Sequence, residues 1–364
     1  MEKLGEISTC SQYMAYPNLY QRDLIPDEAF SVLNSRWSAD RIVLPNVEFY
    51  MARQVYVVDE GLVFTADGAL ISATRINFGD AEVTRARETL ARALEYTESI
   101  QRHSKAILCK KRGASNYGHW LVEMLPKAYW AVRKLNVRDW PVAVQKNGPA
   151  MKAITQQSLA AIGVEAEKII ETTGSPVYFE ELLLVHGLTS HAIYLSPLVM
   201  ECMEFIASKA PPGTAEAVYA VRRPSNSRDF EHETEAREMF LSHGYTEVET
   251  ASLSFMEQVS AFKSAKRVVG AMGAAFTNII FCRPGTEVLI FAPASALELF
   301  FWHIAEGKKL DYHEVRTEEA GPIVGPLPWN RCLRISKLAI ETILDKLENR
   351  RRLPTQALEP TPHS

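Results

Sequence analysis

A chain of 364 residues is longer than one hydrophobic core ordinarily organises, and it predicts two domains. Its 47% apolar and 23% charged residues are a globular balance, and a net charge of −4 offers no global positive field to nucleic acid. The five cysteines (Cys10, Cys109, Cys202, Cys282 and Cys332) are scattered without a C-x-x-C pair, which argues against a zinc or redox motif and for free thiols in a reducing compartment.

Met1 to Tyr20 lacks an apolar run flanked by basic residues, and no stretch reaches the roughly 18 apolar residues of a membrane span. The expected location is cytoplasmic. Residues 1–40 read as irregular, with Pro17 and Pro26 breaking any pattern. Arg41 to Ile76 is β-rich, and Val55–Val58 and Leu62–Phe64 flank Asp59-Glu60-Gly61 as a hairpin. A helix follows over 81–102. From Ala106 short apolar strands (106–109, 141–144, 168–171, 182–185) alternate with helices (117–135, 149–162, 196–209), which predicts a parallel sheet covered on both faces.

Residues 210–215, around Pro211-Pro212-Gly213, read as a linker between a first domain, 41–209, and a second, 216–330. The second unit alternates again: strands at 217–221, 246–248, 267–269 and 287–291, and helices at 231–243, 254–264, 274–281 and 296–306. Ser254 and Glu257 form a capping box. Residues 331–352 read as one amphipathic helix, and 353–364, with three prolines, as a disordered tail.

Three segments carry candidate chemistry. Val268 to Asn278 is a buried strand, a turn of tiny residues and a helix start. Small residues admit a ligand close to the backbone, and free amides at a helix start suit a diphosphate. Tight strand–helix packing that binds nothing explains the same residues. Arg222, Arg223 and Arg228 follow a strand, at the end where open α/β sheets bind ligands, and could clamp phosphate or form a solvated basic loop. His119 and Glu123 stand four apart on one helical face, which suits general-base work by either residue and equally an ordinary surface hydrogen bond. There is no D-x-D, no H-E-x-x-H and no G-x-S-x-G.

Taken in order, these segments resemble glycosyltransferase family 61, known among bacterial capsular and surface-polysaccharide proteins. Asn116, Tyr117, His119, Trp120, Glu123 and Pro126 match its N-Y-x-H-W segment, and Arg222, Arg223 and Arg228 its arginine-rich strand end. Leu253, Ser254, Glu257 and Gln258 fit L-S-x-x-E-Q. Val269, Gly270, Gly273, Ala274, Thr277, Asn278, Phe281, Pro284 and Gly285 fill the last and most specific run. Two departures stand out: Met272 takes the place of a frequent histidine, and Ile290 or Phe291 that of a strand-end acid, for which Glu298 is a nearby substitute.

The resemblance implies an α/β GT-B architecture: two Rossmann-like domains facing a cleft, with the helix 331–352 crossing back to the first. It also implies an inverting, metal-independent transfer of sugar from a nucleotide diphosphate sugar, without a cofactor, to a glycan or lipid-linked glycan. Glu123 or His119 would be the base. Arg222, Arg223, Arg228, Gly273, Ala274, Ala275, Thr277 and Asn278 would hold the nucleotide and its phosphates, and Asn116, Tyr117, Trp120, Gln258 and Glu298 would line the rest of the cleft. Two other readings stay open: an inactive sugar-nucleotide or glycan-binding module, and an epimerase on the same architecture. Arg350-Arg351-Arg352 reads either as a peripheral contact with the inner membrane face or as favourable charge at a helix C-terminus.

Overall fold

The computed structural model describes residues 1–222, 225 and 227–352. The tail at 353–364 therefore lies outside the described residues, as does Arg223.

The strands of the second unit form a seven-stranded sheet in the order Thr246–Glu249, Ala217–Val221, Arg267–Ala271, Glu287–Pro293, Asp311–Ala320, Cys332–Arg334, with Asn18–Tyr20 paired to Asp311–Ala320. All pairings are parallel except that of Cys332–Arg334. Glu287–Pro293 is buried along its whole length, as expected of an apolar run in a sheet covered on both faces. The chain steps outward from Ala217–Val221 to Thr246–Glu249 and then returns to the opposite side at Arg267–Ala271. This reversal leaves a crevice at the carboxyl ends of the strands, beside Val221 and Ala271.

The other seven-stranded sheet runs Glu2–Ile7, Val47–Val58, Val177–His186, Gln101–Leu108, Val142–Gln145, Ile169–Thr172. The last four are parallel, but Val47–Val58 is antiparallel to Glu2–Ile7, Leu62–Thr65 and Val177–His186. The first sheet is thus mixed rather than wholly parallel. Its predicted hairpin is present, with Asp59 and Gly61 both at positive φ in the turn.

Three expectations change. Residues 1–40 are not irregular: they hold the strand Glu2–Ile7, the strand Asn18–Tyr20 and the helix Asp27–Trp37. Pro26 precedes the first helical turn, where its missing N–H costs nothing, and Leu33 and Trp37, four apart, bury one face. The helix expected at 331–352 begins at Lys337, because Cys332–Arg334 is drawn into pairing with Asp311–Ala320. Nor does it cross back. Ile340, Ile343, Leu344 and Leu347 pack with Tyr219 and Phe291 of the second sheet and with Phe240 of the helix Glu233–Ser242 that covers it. The crossing element is instead the N-terminal strand Asn18–Tyr20, which joins the second sheet while Glu2–Ile7 joins the first.

Around residues 210–215 the chain changes sheet, yet one buried apolar cluster continues through both, from Val47 and Leu183 to Ile290 and Phe301. The three arginines at the end of the last helix each meet an acid: Arg350 faces Asp311 at 3.7 Å, Arg351 faces Glu287 at 3.2 Å, and Arg352 pairs with Glu348. Among the described residues no helix is long and apolar enough to cross a membrane.

Candidate active site

Asn116 caps the helix that carries the His119 motif, its side chain accepting from the amide of Gly118 at 2.8 Å and that of His119 at 3.4 Å. The helix then widens into one π turn at Trp120–Met124 before Leu125–Leu135 resumes α geometry. Pro126, which has no N–H to close an α bond, follows directly. Such a bulge re-aims the side chains it carries and is frequent at functional sites. Here it sets Glu123 inward, 1% exposed.

Glu123 is the centre of an ion network. One carboxylate oxygen, Oε2, accepts from Nδ1 of His119 at 2.9 Å and from the ammonium of Lys111. The other, Oε1, accepts from Nδ1 of His191 at 2.9 Å. The opposite nitrogen of His191 faces Glu298 Oε2 at 3.4 Å. The two imidazoles lie 4.6 Å apart, and Phe300 stacks on His191. Burial alone would raise the pKa of Glu123, but hydrogen bonds from His119 and His191 and the charge of Lys111 outweigh it and hold the carboxyl well below its ordinary range. Burial likewise opposes the charge on His191, and the bonds to Glu123 and Glu298 reverse this, raising it to about 9.

His119 and His191 both meet solvent, with side chains 26% and 25% exposed. Nδ1 of His119 is taken by Glu123, and no described residue bonds its Nε2. The His119 ring rests on Gly113, where a Cβ would stand 2.9 Å from it and where φ is +84°. His119, His191 and Glu298 line a cavity of about 810 Å³ whose other walls include Glu60, Arg112 and Trp329. His119, Glu123 and His191 also place ligand atoms within 4.8 Å of one another. A metal ion there would have to displace the Lys111 ammonium and the two Nδ1 protons from the same carboxylate.

A second cavity, about 570 Å³, opens at the sheet's reversal point. Val221, Arg222, Thr250, Ser254, Ala274 and Ala275 line it from the strand ends and turns of the second unit, and Met151, Ile154 and Gln157 from the helix Pro149–Ala161. Ser115 lines both cavities, so the two flank the start of the His119 helix. Arg222 is held by the carbonyls of Met272 at 3.0 Å and Arg228 at 3.2 Å. Its guanidinium lies against Gly273, in extended conformation, where a Cβ would come within 2.7 Å. Arg228 has positive φ and a buried Nε without a partner among the described residues.

Other predicted residues serve the framework. Asn278 is fully buried and accepts from Tyr117 Oη at 2.6 Å while donating to Gln258 Oε1 at 3.1 Å. This chain joins the His119 helix to the second sheet, so the side chain of Asn278 is not free for a ligand. Thr277 is 1% exposed and lies against Gly118, where a Cβ would meet its hydroxyl at 2.7 Å. Trp120 is buried and donates to Ser158 at 2.9 Å, away from both cavities. Tyr117 and Gln258 do line the smaller cavity. Glu298 lies beside His191 and not in the smaller cavity, so it does not substitute for a strand-end acid there. Met272 is fully buried and reaches neither cavity.

Sequence reasoning missed Lys111 and His191. Lys111 stands in a basic tripeptide that looks solvated, and His191 stands alone in a short connection between Thr189–Ser190 and Tyr194–Leu195. Only the fold brings them to Glu123.

No curated protein matches the chain. The family model Glycosyltransferase 61 matches residues 117–289, a span that opens on the His119 helix and takes in the arginine segment and the Gly273 turn. Residues 117–289 are thus similar to the glycosyltransferase 61 family, and the protein is a glycosyltransferase.

Proposed function

We propose that the enzyme moves a sugar from a nucleoside diphosphate sugar to a hydroxyl of a glycan, inverting the anomeric carbon, without a metal ion and in a GT-B arrangement. The observation that carries this reading is His119, which lines the larger cavity with Nδ1 fixed on Glu123 and Nε2 unbonded among the described residues. The acceptor oxygen bonds to the anomeric carbon, the bond from that carbon to the diphosphate oxygen breaks, and the hydroxyl proton passes to Nε2. Glu123, buried and already accepting from three donors, sets the tautomer of His119 and stabilises the imidazolium that forms.

The smaller cavity takes the nucleoside, a role supported by its place at the strand reversal. Arg222 and Arg228, with Arg223 between them in sequence, and the amides around Gly273, Ala274 and Ala275 face the diphosphate and offset its charge as it departs. The larger cavity takes the acceptor, which the sequence resemblance points to as a surface polysaccharide or lipid-linked glycan, with the reaction on the cytoplasmic side. Metal independence is supported by the Lys111 ammonium already seated on the carboxylate.

Turnover with radiolabelled donors tests the reading. His119→Ala is expected to lower kcat by about 10²–10⁴ with donor binding retained in calorimetry, and EDTA to leave the wild type unchanged. Near wild-type turnover in His119→Ala would place the base elsewhere. Conversion of donor without any acceptor would favour an epimerase.

A further inference from the structure

We propose that His191 is a positioning residue that keeps His119 neutral, and so able to take a proton, by itself holding the proton placed between Glu123 and Glu298. The inference rests on His119 as the base. It goes further by assigning a role to a residue from a different part of the chain.

The geometry is asymmetric. Each ring nitrogen of His191 faces a carboxylate oxygen, Glu123 at 2.9 Å and Glu298 at 3.4 Å. A carboxylate only accepts, so a ring set between two of them is best served as an imidazolium. His119 has such a partner on Nδ1 alone. With centroids 4.6 Å apart, two imidazolium rings would repel at short range, so one proton settles on the better-served ring and disfavours a second on its neighbour.

The surroundings agree. His119 is faced by Glu123 from its own helix and by Lys111 across that carboxylate. Glu298 and Phe300 approach His191 from the segment after Glu287–Pro293. Glu60 and Arg112 stand on the cavity wall. Lys127 acts on Glu123 and Lys111 from the next helical turn, Arg228 acts on Glu298, and His303 lies close enough to sense both His191 and Glu298. Lys111 and His191 together balance Glu123 and Glu298, leaving His119 as the ring without a fixed charge. Because Glu298 follows a strand of the second sheet and Glu123 lies on a helix packed with the first, the base reaches this state only when both halves are in place.

The test is the pH profile of kcat/KM in His191→Asn. Removing the neighbouring cation leaves His119 beside Glu123 with less opposition, so its proton is held more tightly. The acid limb is expected to move to higher pH by about one unit, with a fall in activity at pH 7. A role in packing alone would lower the activity and leave the limb in place, and that result overturns the proposal. Nitrogen chemical shifts of ¹⁵N-histidine in the wild type give a second readout, assigned with His119→Asn should His191→Asn not fold. At pH 7.5 His191 is expected as imidazolium and His119 as neutral. A neutral His191 overturns the inference. Full turnover in His119→Ala would remove the base reading itself, whereas an inactive His119→Ala with an unmoved limb in His191→Asn would remove only the role of His191.

Discussion

The guanidinium of Arg222 lies directly on Gly273, so close that a single added methyl would stand 2.7 Å from its Nε. Gly273 has an extended backbone, open to any residue. Glycine is needed there for space.

Gly273→Ala is therefore expected to fold normally and to push Arg222 off the carbonyls of Met272 and Arg228. If Arg222 binds the diphosphate, the donor KM should rise about 10-fold or more, since charge-assisted hydrogen bonds contribute about 1.5–3 kcal/mol. Arg222→Ala should raise it at least as much. Steady-state kinetics with varied donor checks both, and an unchanged KM in both variants would remove Arg222 from the donor site.

Glu123→Gln keeps the shape of the network and deletes its charge. Lys111 and His191 then lose the carboxylate that balances them, and His119 loses the group that stabilises its imidazolium. The expected result is a kcat lower by about 10²-fold, with donor affinity retained and a stability loss of about 3–5 kcal/mol, the usual cost of breaking a buried ion pair from one side. Denaturant unfolding and radiolabel turnover measure the two effects separately.

The chain Tyr117–Asn278–Gln258 ties the His119 helix to the second sheet through buried hydrogen bonds. Tyr117→Phe and Asn278→Ala should each cost about 1–3 kcal/mol, because each strands a buried polar partner. Their double mutant should cost less than the sum, since both remove the same bond. Urea unfolding of the four proteins forms the cycle, and strict additivity would mean that the bond contributes nothing.

Alkaline stability isolates His191. Its pKa rises on folding from 6.5 to about 9, so its contribution is complete below pH 6.5 and is lost as pH climbs through 9. Burial lowers Lys110 and Lys127 to about 8, and these act in the opposite direction, favouring the fold as pH rises above 8. The informative quantity is therefore the stability difference between wild type and His191→Asn, which should shrink between pH 7 and 10 as His191 deprotonates. Thermal melts across that range check it. A constant difference would mean that His191 is neutral throughout.

Local signals made much of this legible. The capping box at Ser254 and Glu257, the hairpin at Asp59–Gly61 and the four-residue spacing of His119 and Glu123 are patterns within a few residues of chain, and each is present. Features that depend on distant chain were not legible. Asn278 sits in a family-like run, and only the fold shows its side chain spent on Tyr117 and Gln258. The prolines at 17 and 26 looked like breaks because nothing nearby hints that Asn18–Tyr20 pairs with residues 313–315. His191 carries no motif at all, and its meaning comes from Glu123 and Glu298 on either side.

That N-terminal strand also sets a schedule for biosynthesis. Asn18 leaves the ribosome well before its partner His313, the 295th residue after it. At roughly 5–20 residues per second the gap is about 15–60 s. During this time the nascent chain holds an unpaired edge and the apolar flank of Leu33 and Trp37 in the open, a task for chaperones. Slower production at low temperature, with any purification tag placed away from the first twenty residues, follows as the practical way to make this enzyme.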